Sequence, residues 1–518
     1  MCSRSALVVG RHPMTDAVVR QYEDRTFSVI RSDDASYCGE SPAEVFIATE
    51  ARKGEEVSED IRNIDLIRHI CAGSDKGSPI KCHILLHSPQ ILRKFQDDSF
   101  CADLKGKAEI YPFTAESLWA QRMFTLIPGQ KSAYSFLDKI PDSAESSETV
   151  HIVIFGLNTM TESLAEYAAL TCHYPNYTRD HSLRTRITVV DDKMSEIMYG
   201  FVHSRKSLFD NSFYRLVDLK HPQGASVTEF HSPEYDGVRE DWVDVEWEFV
   251  NGGIWSEVLR SKLKTWAADE GQYLSMILGN DKEDDNIAVA LKLAEILQVN
   301  DVQVFVRTAS EDIMGLLPEL GGFIPFGMKN FEYDIDQPLA RMAQMVNYVY
   351  QCCYEDNYLK GDNCNDIFSP VAIDTAIAES LWQDLSYSKK LSNIYNAMTI
   401  PVKMRSLGHK LEDWSAFYAI SSKETSLLAE IEHNRWNVAT LLLGYRPVNA
   451  TQEKEIENDI SLKKEYRDSL IHYDLRSYRD LRADATGRNA NTYDICLAAA
   501  IPLIAKTYIT EIADGRNH

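Results

Sequence analysis

One short plan occurs twice in this chain: an apolar run that ends in glycine and passes straight into a helical pattern. Ala6-Leu7-Val8-Val9-Gly10 leads to a helix through Val18-Val19, and His151-Ile152-Val153-Ile154-Phe155-Gly156 leads to one over 159–169. A strand that hands over to a helix in this way opens a βαβ unit, which commits the chain to parallel sheets covered by helices. Further apolar runs continue each opening, at 27–30, 45–48, 82–87 and 108–111, then at 187–192, 245–250, 273–278 and 302–306. The fold class expected is therefore α/β. Two doubly wound, Rossmann-like parallel-sheet domains arise by internal duplication, and an all-α domain follows them. The 518 residues are too many for one core. The expected divisions are a first sheet domain over 1–125, a linker over 126–149 and a second sheet domain over 150–335 with an insertion at about 193–244. A helical connector over 336–374 and a helical domain over 375–518 complete the chain.

The glycines raise the question of phosphate binding. The first loop reads Gly10-Arg11-His12-Pro13-Met14-Thr15, with His12 where a dinucleotide loop needs its second glycine and Pro13 removing a donor. Asp33 follows Gly10 by 23 residues, close to the spacing at which a carboxylate meets a ribose. Two readings stand: a degenerate domain kept for packing or dimerisation, or a modified nucleotide site with Arg11 on phosphate. The second loop is Gly156-Leu157-Asn158-Thr159-Met160-Thr161, and its strand-end acids are Asp191 and Asp192. Asn158 tolerates αL and the threonine hydroxyls can donate, so groups that bind anions survive there.

Residues 278–308 carry a family resemblance. A strand ends in Gly279-Asn280-Asp281, an acidic loop follows, Asn286 opens a helix, and the next strand ends Val-Phe-Val-Arg307. This resembles the N-lobe of the potassium-transport nucleotide-binding family, the TrkA-N or RCK fold. The resemblance implies a nucleotide (NAD, ATP, or a cyclic or modified nucleotide) held by Gly156, Asn158, Thr159 and Thr161, with Asp191 or Asp192 on the ribose. Gly279 and Asn280 would lie at the strand end, and Arg307 near a phosphate or an interface. Gly10, Arg11 and Asp33 are the equivalent candidates in the first domain.

In the last third, apolar residues recur at helical spacing over 337–355, and the chain then reads EIEHNRWNVATLLLGYRP from Glu430 to Pro447. On a helix His433, Trp436, Asn437 and Thr440 share one stripe, and Leu428, Ile431, Val438 and Leu442 another. Gly444 stops the helix. With His472, the pattern Leu475-x-x-Tyr478-x-x-Leu481 and the terminal Ile501-Pro502, this set resembles the RyR domain, the helical repeat of ryanodine receptors. Glu432 and His433 point about 100° apart on a helix, so they form no dyad unaided. EHNRW also lacks the second histidine of a zinc helix. Glu432 can pair with Arg435 at i+3 while Trp436 packs. Alternatively Trp436 or Tyr445 stacks a base while Arg435, Arg446 or Arg476 takes a phosphate. Glu432, His433, His472 and Tyr478 complete this candidate ligand set.

Charge removes one class of partner. With 54 basic against 78 acidic residues, a net −24, the chain lacks the basic surface that duplex nucleic acid requires. The ten cysteines show no CxxC pair and no metal spacing, as expected of reduced thiols in a cytoplasmic protein. No P-loop or GxSxG motif occurs. The resemblances together imply a cytoplasmic ligand sensor for a nucleotide or nucleotide-derived signal, some such fusions acting in anti-phage defence, with rearrangement or homo-oligomerisation as output. Two alternatives are a regulatory subunit of a separate membrane transporter and an NAD(P)-dependent enzyme.

Overall fold

The computed structural model describes residues 4–33, 42–72, 79–97, 99–126, 139–221, 224–231, 242–297, 302–310, 312, 316–328, 331, 333–354, 372–409, 420–481 and 490–515. The polar loop at 361–366 lies outside these.

The first unit runs β1 (Ser5–Val9), α1 (Thr15–Asp24), β2 (Ser28–Ser32), β3 (Glu44–Ile47), α2 (Glu56–Ala72), β4 (Ile80–Leu85), α3 (Pro89–Lys94), β5 (Ala108–Phe113) and α4 (Ala115–Phe124). Its five strands are all parallel, in the order β2-β1-β3-β4-β5. The second runs β6 (Thr149–Phe155), α5 (Thr159–Thr171), β7 (Thr185–Asp191), α6 (Met194–Ser204), α7 (Lys206–Phe209), β8 (Phe213–Asp218), β9 (Ser226–His231) and β10 (Val245–Asn251). Then come α8 (Glu257–Ala267), β11 (Gln272–Leu278), α9 (Glu283–Leu297), β12 (Gln303–Arg307) and β13 (Ile324–Phe326). This sheet has eight strands in the order β13-β12-β11-β6-β7-β10-β8-β9, parallel except for β8 against β9. Without the β8–β9 hairpin its order is 3-2-1-4-5-6 in chain terms, whereas the first sheet is 2-1-3-4-5. Both are doubly wound orders, but they are not the same one. The stretch expected as an insertion, about 193–244, supplies α6, α7 and the edge hairpin of this same sheet.

The remainder is helical: α10 (Pro338–Tyr354), α11 (Thr375–Gln383), α12 (Tyr387–Arg405), α13 (Ser422–Leu442), α14 (Ala450–Asn458), α15 (Leu462–Asp468), α16 (Asn491–Ala499) and α17 (Ile501–Gly515). A two-residue ladder, β14 (Arg446–Pro447) with β15 (Ile471–His472), interrupts it. Helix α13 starts at a capping box, Ser421 with Glu424, and ends at Gly444 with φ +89°. Among the described residues no single helix is long and apolar enough to cross a membrane. The bent pair α16–α17 meets that test jointly, with a 43° break at Ala500. Its residues Cys496, Ala500, Ile504 and Ala505 are buried in the core.

Parallel strands bury both faces, and here the two faces have different owners. On the first sheet Leu7, Val9, Val45 and Ile47 pack under α2 with Ile64 and Ile67. On the second, Val153, Phe155, Met276 and Leu278 pack under α8 and α9. The opposite faces join in one core with the helical part, from Ala6 and Phe46 through Ile152 and Phe249 to Met342, Leu428 and Tyr508. A strap after β13 enters this core: Trp119 Nε1 donates to Met328 O at 3.2 Å. Further along it, Tyr333 stacks on Phe113 at 4.3 Å.

The first glycine loop is closed by the same tightness. Gly10 has φ +104°, and a Cβ there would lie 2.1 Å from Ala48 O. Gly224 has nearly the same φ, +105°, with nothing within 4 Å. Gly10→Ala should cost more than about 3 kcal/mol in thermal or urea unfolding, and Gly224→Ala only about 1 kcal/mol. Equal losses would mean that φ strain alone matters at residue 10.

Candidate functional site

In open α/β sheets, ligands enter the crevice at the carboxyl ends of strands where the order reverses. In the second sheet that point lies between β6 and β11, and the residues expected from the sequence converge on it. Gly156 ends β6 with φ +88°, and a Cβ there would sit 2.6 Å from Asn280 Oδ1. Gly279 ends β11, and its Cβ would meet Thr161 Cγ2 at 2.3 Å. Asn158 is extended, φ −146°, so the αL conformation considered for it belongs to Gly156. Its side chain caps α5: Oδ1 accepts from Met160 N at 3.1 Å and Thr161 N at 3.2 Å. Nδ2 donates across the crevice to Gly279 O at 2.7 Å. Thr161 Oγ1 accepts from Asn158 N at 2.8 Å. The amides that would cradle a phosphate are thus occupied by the chain's own side chains. Thr159 lies exposed on the lip.

The acids divide their roles. Asp191 accepts from Leu157 N at 3.2 Å and Lys193 N at 2.8 Å, so it holds the loop. Asp192 is 62% exposed beside Lys220, with Gly253 close enough that a Cβ would strike its carboxylate at 2.6 Å. Asn286 does not open its helix; α9 begins three residues earlier, at Glu283. Asn286 is a fully buried tether, accepting from Asn280 N at 2.9 Å and donating to Asn280 O and Arg307 O. Arg307 binds Asp281 at 3.1 Å and Gly279 O at 3.3 Å.

At the first sheet the reversal lies between β1 and β3, where His12 N donates to Ala48 O at 3.2 Å and backbone fills the crevice. Asp33 pairs with Arg11 instead of facing it, and the hydrogen bond from that guanidinium holds its carboxyl below the usual range.

The helical candidates gather around α13, most of them below the surface. Glu432, Arg435 and Lys403 are each at most 2% exposed. Glu432 accepts from Arg435 Nη2 at 2.7 Å and from Lys403 Nζ at 2.6 Å. Burial disfavours its charge, but Arg435 and then Lys403 outweigh burial and hold the carboxyl at about 2. His433 Nε2 meets Arg476 O at 2.9 Å, and Nδ1 meets Asp494 at 3.2 Å. Burial works against the imidazolium, yet the Asp494 hydrogen bond and charge push His433 up overall; burial pushes Asp494 up. Asn437 Nδ2 donates to the same Arg476 O at 2.9 Å. Trp436, half-buried, stacks on His433 and meets His472 edge-on at 4.8 Å, with Tyr445 beyond. Tyr478 flanks His433 at 5.9 Å, Arg476 pairs with Glu453 at 2.9 Å, and of these candidates only Arg446 is exposed. The nearby cleft between Tyr177, Trp242, Glu430 and Tyr478 holds about 10 Å³, room for roughly one water. The partners Lys403 and Asp494 escaped sequence reasoning. Their signal was a lone charge inside an apolar run, at 396–404 and 493–501. Among the described residues no group of three His, Cys, Asp or Glu side chains could hold a metal.

No family model matches the chain, and no curated protein is similar to it. Among solved structures, the crystal structure of GsuK bound to ADP aligns at 12% identity over 62% of this chain and 66% of that one, just under two thirds of its length. The TM-score is 0.27, too low to bear on function.

Glu432→Ala would strand two buried cations and should cost about 3–5 kcal/mol. The stability Glu432 contributes is fully present above its ordinary value of 4.5 and is lost as pH falls from there toward 2. Thermal melts should therefore fall more steeply between pH 4.5 and 2 for the wild type than for Glu432→Gln. Parallel curves would show that the carboxylate is not held by its cations.

Proposed function

We propose that the protein is a regulatory ligand sensor that binds a nucleotide or nucleotide-derived signal at the carboxyl ends of β6 and β11, without turnover. The observation that carries this reading is the 3-2-1-4-5-6 strand order, which sets Gly156 and Asn158 against Gly279 and Asn280 at the reversal point. A phosphate entering there takes the place of Asn158 Oδ1 on the Met160 and Thr161 amides. Asn158 then releases Gly279 O, and the link between the two strand ends opens. That release is the structural event such a sensor would report, through rearrangement or through assembly of chain copies. Asp192 is the acid left for a ribose, because Asp191 is committed to the loop.

The self-cap makes an unusual prediction. Asn158→Ala should lower stability by about 1 kcal/mol, as loss of a helix cap does, yet bind nucleotide severalfold more tightly because a competitor has gone. Asp192→Ala should weaken binding by about tenfold. Calorimetry with ATP, ADP, NAD and cyclic nucleotides, alongside a turnover assay, checks both. No saturable heat from the wild type or from Asn158→Ala would end this reading.

A further inference from the structure

Two thiols meet where the last turn of α10 packs against α16. Cys353 stands one residue before the end of α10, and Cys496 lies in the middle of α16. Helical spacing puts both on inward faces. Cys353 continues the buried stripe of Met342, Met345, Val346 and Val349, and Cys496 lies four residues before the buried Ala500. The Cys353 thiol donates to Cys496 Sγ, and the two sulfurs are 3.0 Å apart across 143 residues of chain. Both are thiols rather than halves of a disulfide.

The pair is almost fully buried, but it is not deep. It forms a small cluster of its own, with the partly buried Tyr493 packed against it. Tyr493 stacks on Tyr350 at 5.3 Å, and Tyr350 is 40% exposed. Tyr354, the next residue after Cys353, ends the helix and is exposed as well. The cover over the sulfurs thus includes a tyrosine ring at a helix terminus, where local opening is cheapest. Closing the pair to a disulfide brings the sulfurs together by about 1 Å. Each sulfur already has its partner in contact, so oxidation of one is trapped by the other before it can go further.

We propose that Cys353 and Cys496 are a peroxide-responsive dithiol, oxidised by a hydroperoxide to one reversible disulfide that ties α10 to α16. One thiol, as its thiolate, attacks hydrogen peroxide: the S–O bond forms, the O–O bond breaks, and the departing hydroxide takes up that thiol's proton as water. The second sulfur, as thiolate, attacks the first. The S–S bond forms, the S–O bond breaks, and the second hydroxide leaves with the remaining proton as water. Two thiols and one hydrogen peroxide give one disulfide and two waters, with two electrons passing from sulfur to oxygen. A small dithiol reverses the change by exchange. The bond holds α16, whose Asp494 meets His433 of α13, to the helix that continues the strap.

Hydrogen peroxide added to the reduced full chain, then thiol blocking and peptide mapping without reductant, tests this. A Cys353–Cys496 cross-link should appear within single chains, lighter by two hydrogens than the reduced peptides, and dithiothreitol should remove it. A cross-link restricts the unfolded chain, so the oxidised protein should melt at least about 2 °C above the reduced one. Cys496→Ala should abolish both the cross-link and that difference, and Cys352→Ala, next to the pair, should keep both. Tyr493→Ala should speed cross-linking about threefold or more, because exposure governs the oxidation of a covered thiol. Mapping of the wild type needs no variant and stays readable if Cys496→Ala fails to fold. Recovery of both cysteines as blocked thiols, cross-linking only in urea, a bond between two copies of the chain, or an unchanged rate in Tyr493→Ala would overturn the proposal.

Discussion

Tyr333 is the contact on which the arrangement of the chain depends. It belongs to no helix or strand, yet its ring stacks on Phe113 at 4.3 Å, meets Phe46 at 5.3 Å and places its hydroxyl on His83. Gln21 clamps the backbone on either side, donating to Tyr333 O at 2.6 Å and accepting from Ile335 N at 3.2 Å. The inner face of the first sheet is aromatic and cannot be left to water, and the strap covers it. The strap also joins β13 to α10. One short segment therefore sets the first sheet, the second sheet and the helical part against one another.

Polar burial does a different job in the helical part. Lys403, Glu432 and Arg435 come from two helices and are all out of water, with Asp494 and His433 of a third contact alongside. Desolvation makes such a cluster a modest source of stability, but it tolerates few alternative registers of α12 against α13. That explains why a motif rich in groups capable of chemistry offers so little to a ligand. Its charges are spent on one another, and Trp436 closes the edge against His472.

The strands were legible because a parallel strand buried on both faces is written as a continuous apolar run, as in Leu7-Val8-Val9 and Ile152-Val153-Ile154. Their order was not. Whether the third strand returns beside the first or beyond the second is decided by crossover packing, which leaves no local trace, so two different orders passed for one repeated plan. At the loops, glycine spacing showed where backbone comes close, as at Gly156 and Gly279. It could not show that Asn158 would turn inward as a cap. The i+3 pair Glu432–Arg435 follows from helix geometry alone. Lys403 and Asp494 needed the fold.

The strap also has a consequence in time. Phe113 leaves the ribosome 220 residues before Tyr333, from their positions in the chain. At roughly 5–20 residues per second, the first sheet waits about 10–45 s with Phe46, His83 and Phe113 uncovered. During synthesis the growing chain thus carries a finished sheet with an unfinished face, and that interval is when a chaperone or a neighbouring nascent chain would find it.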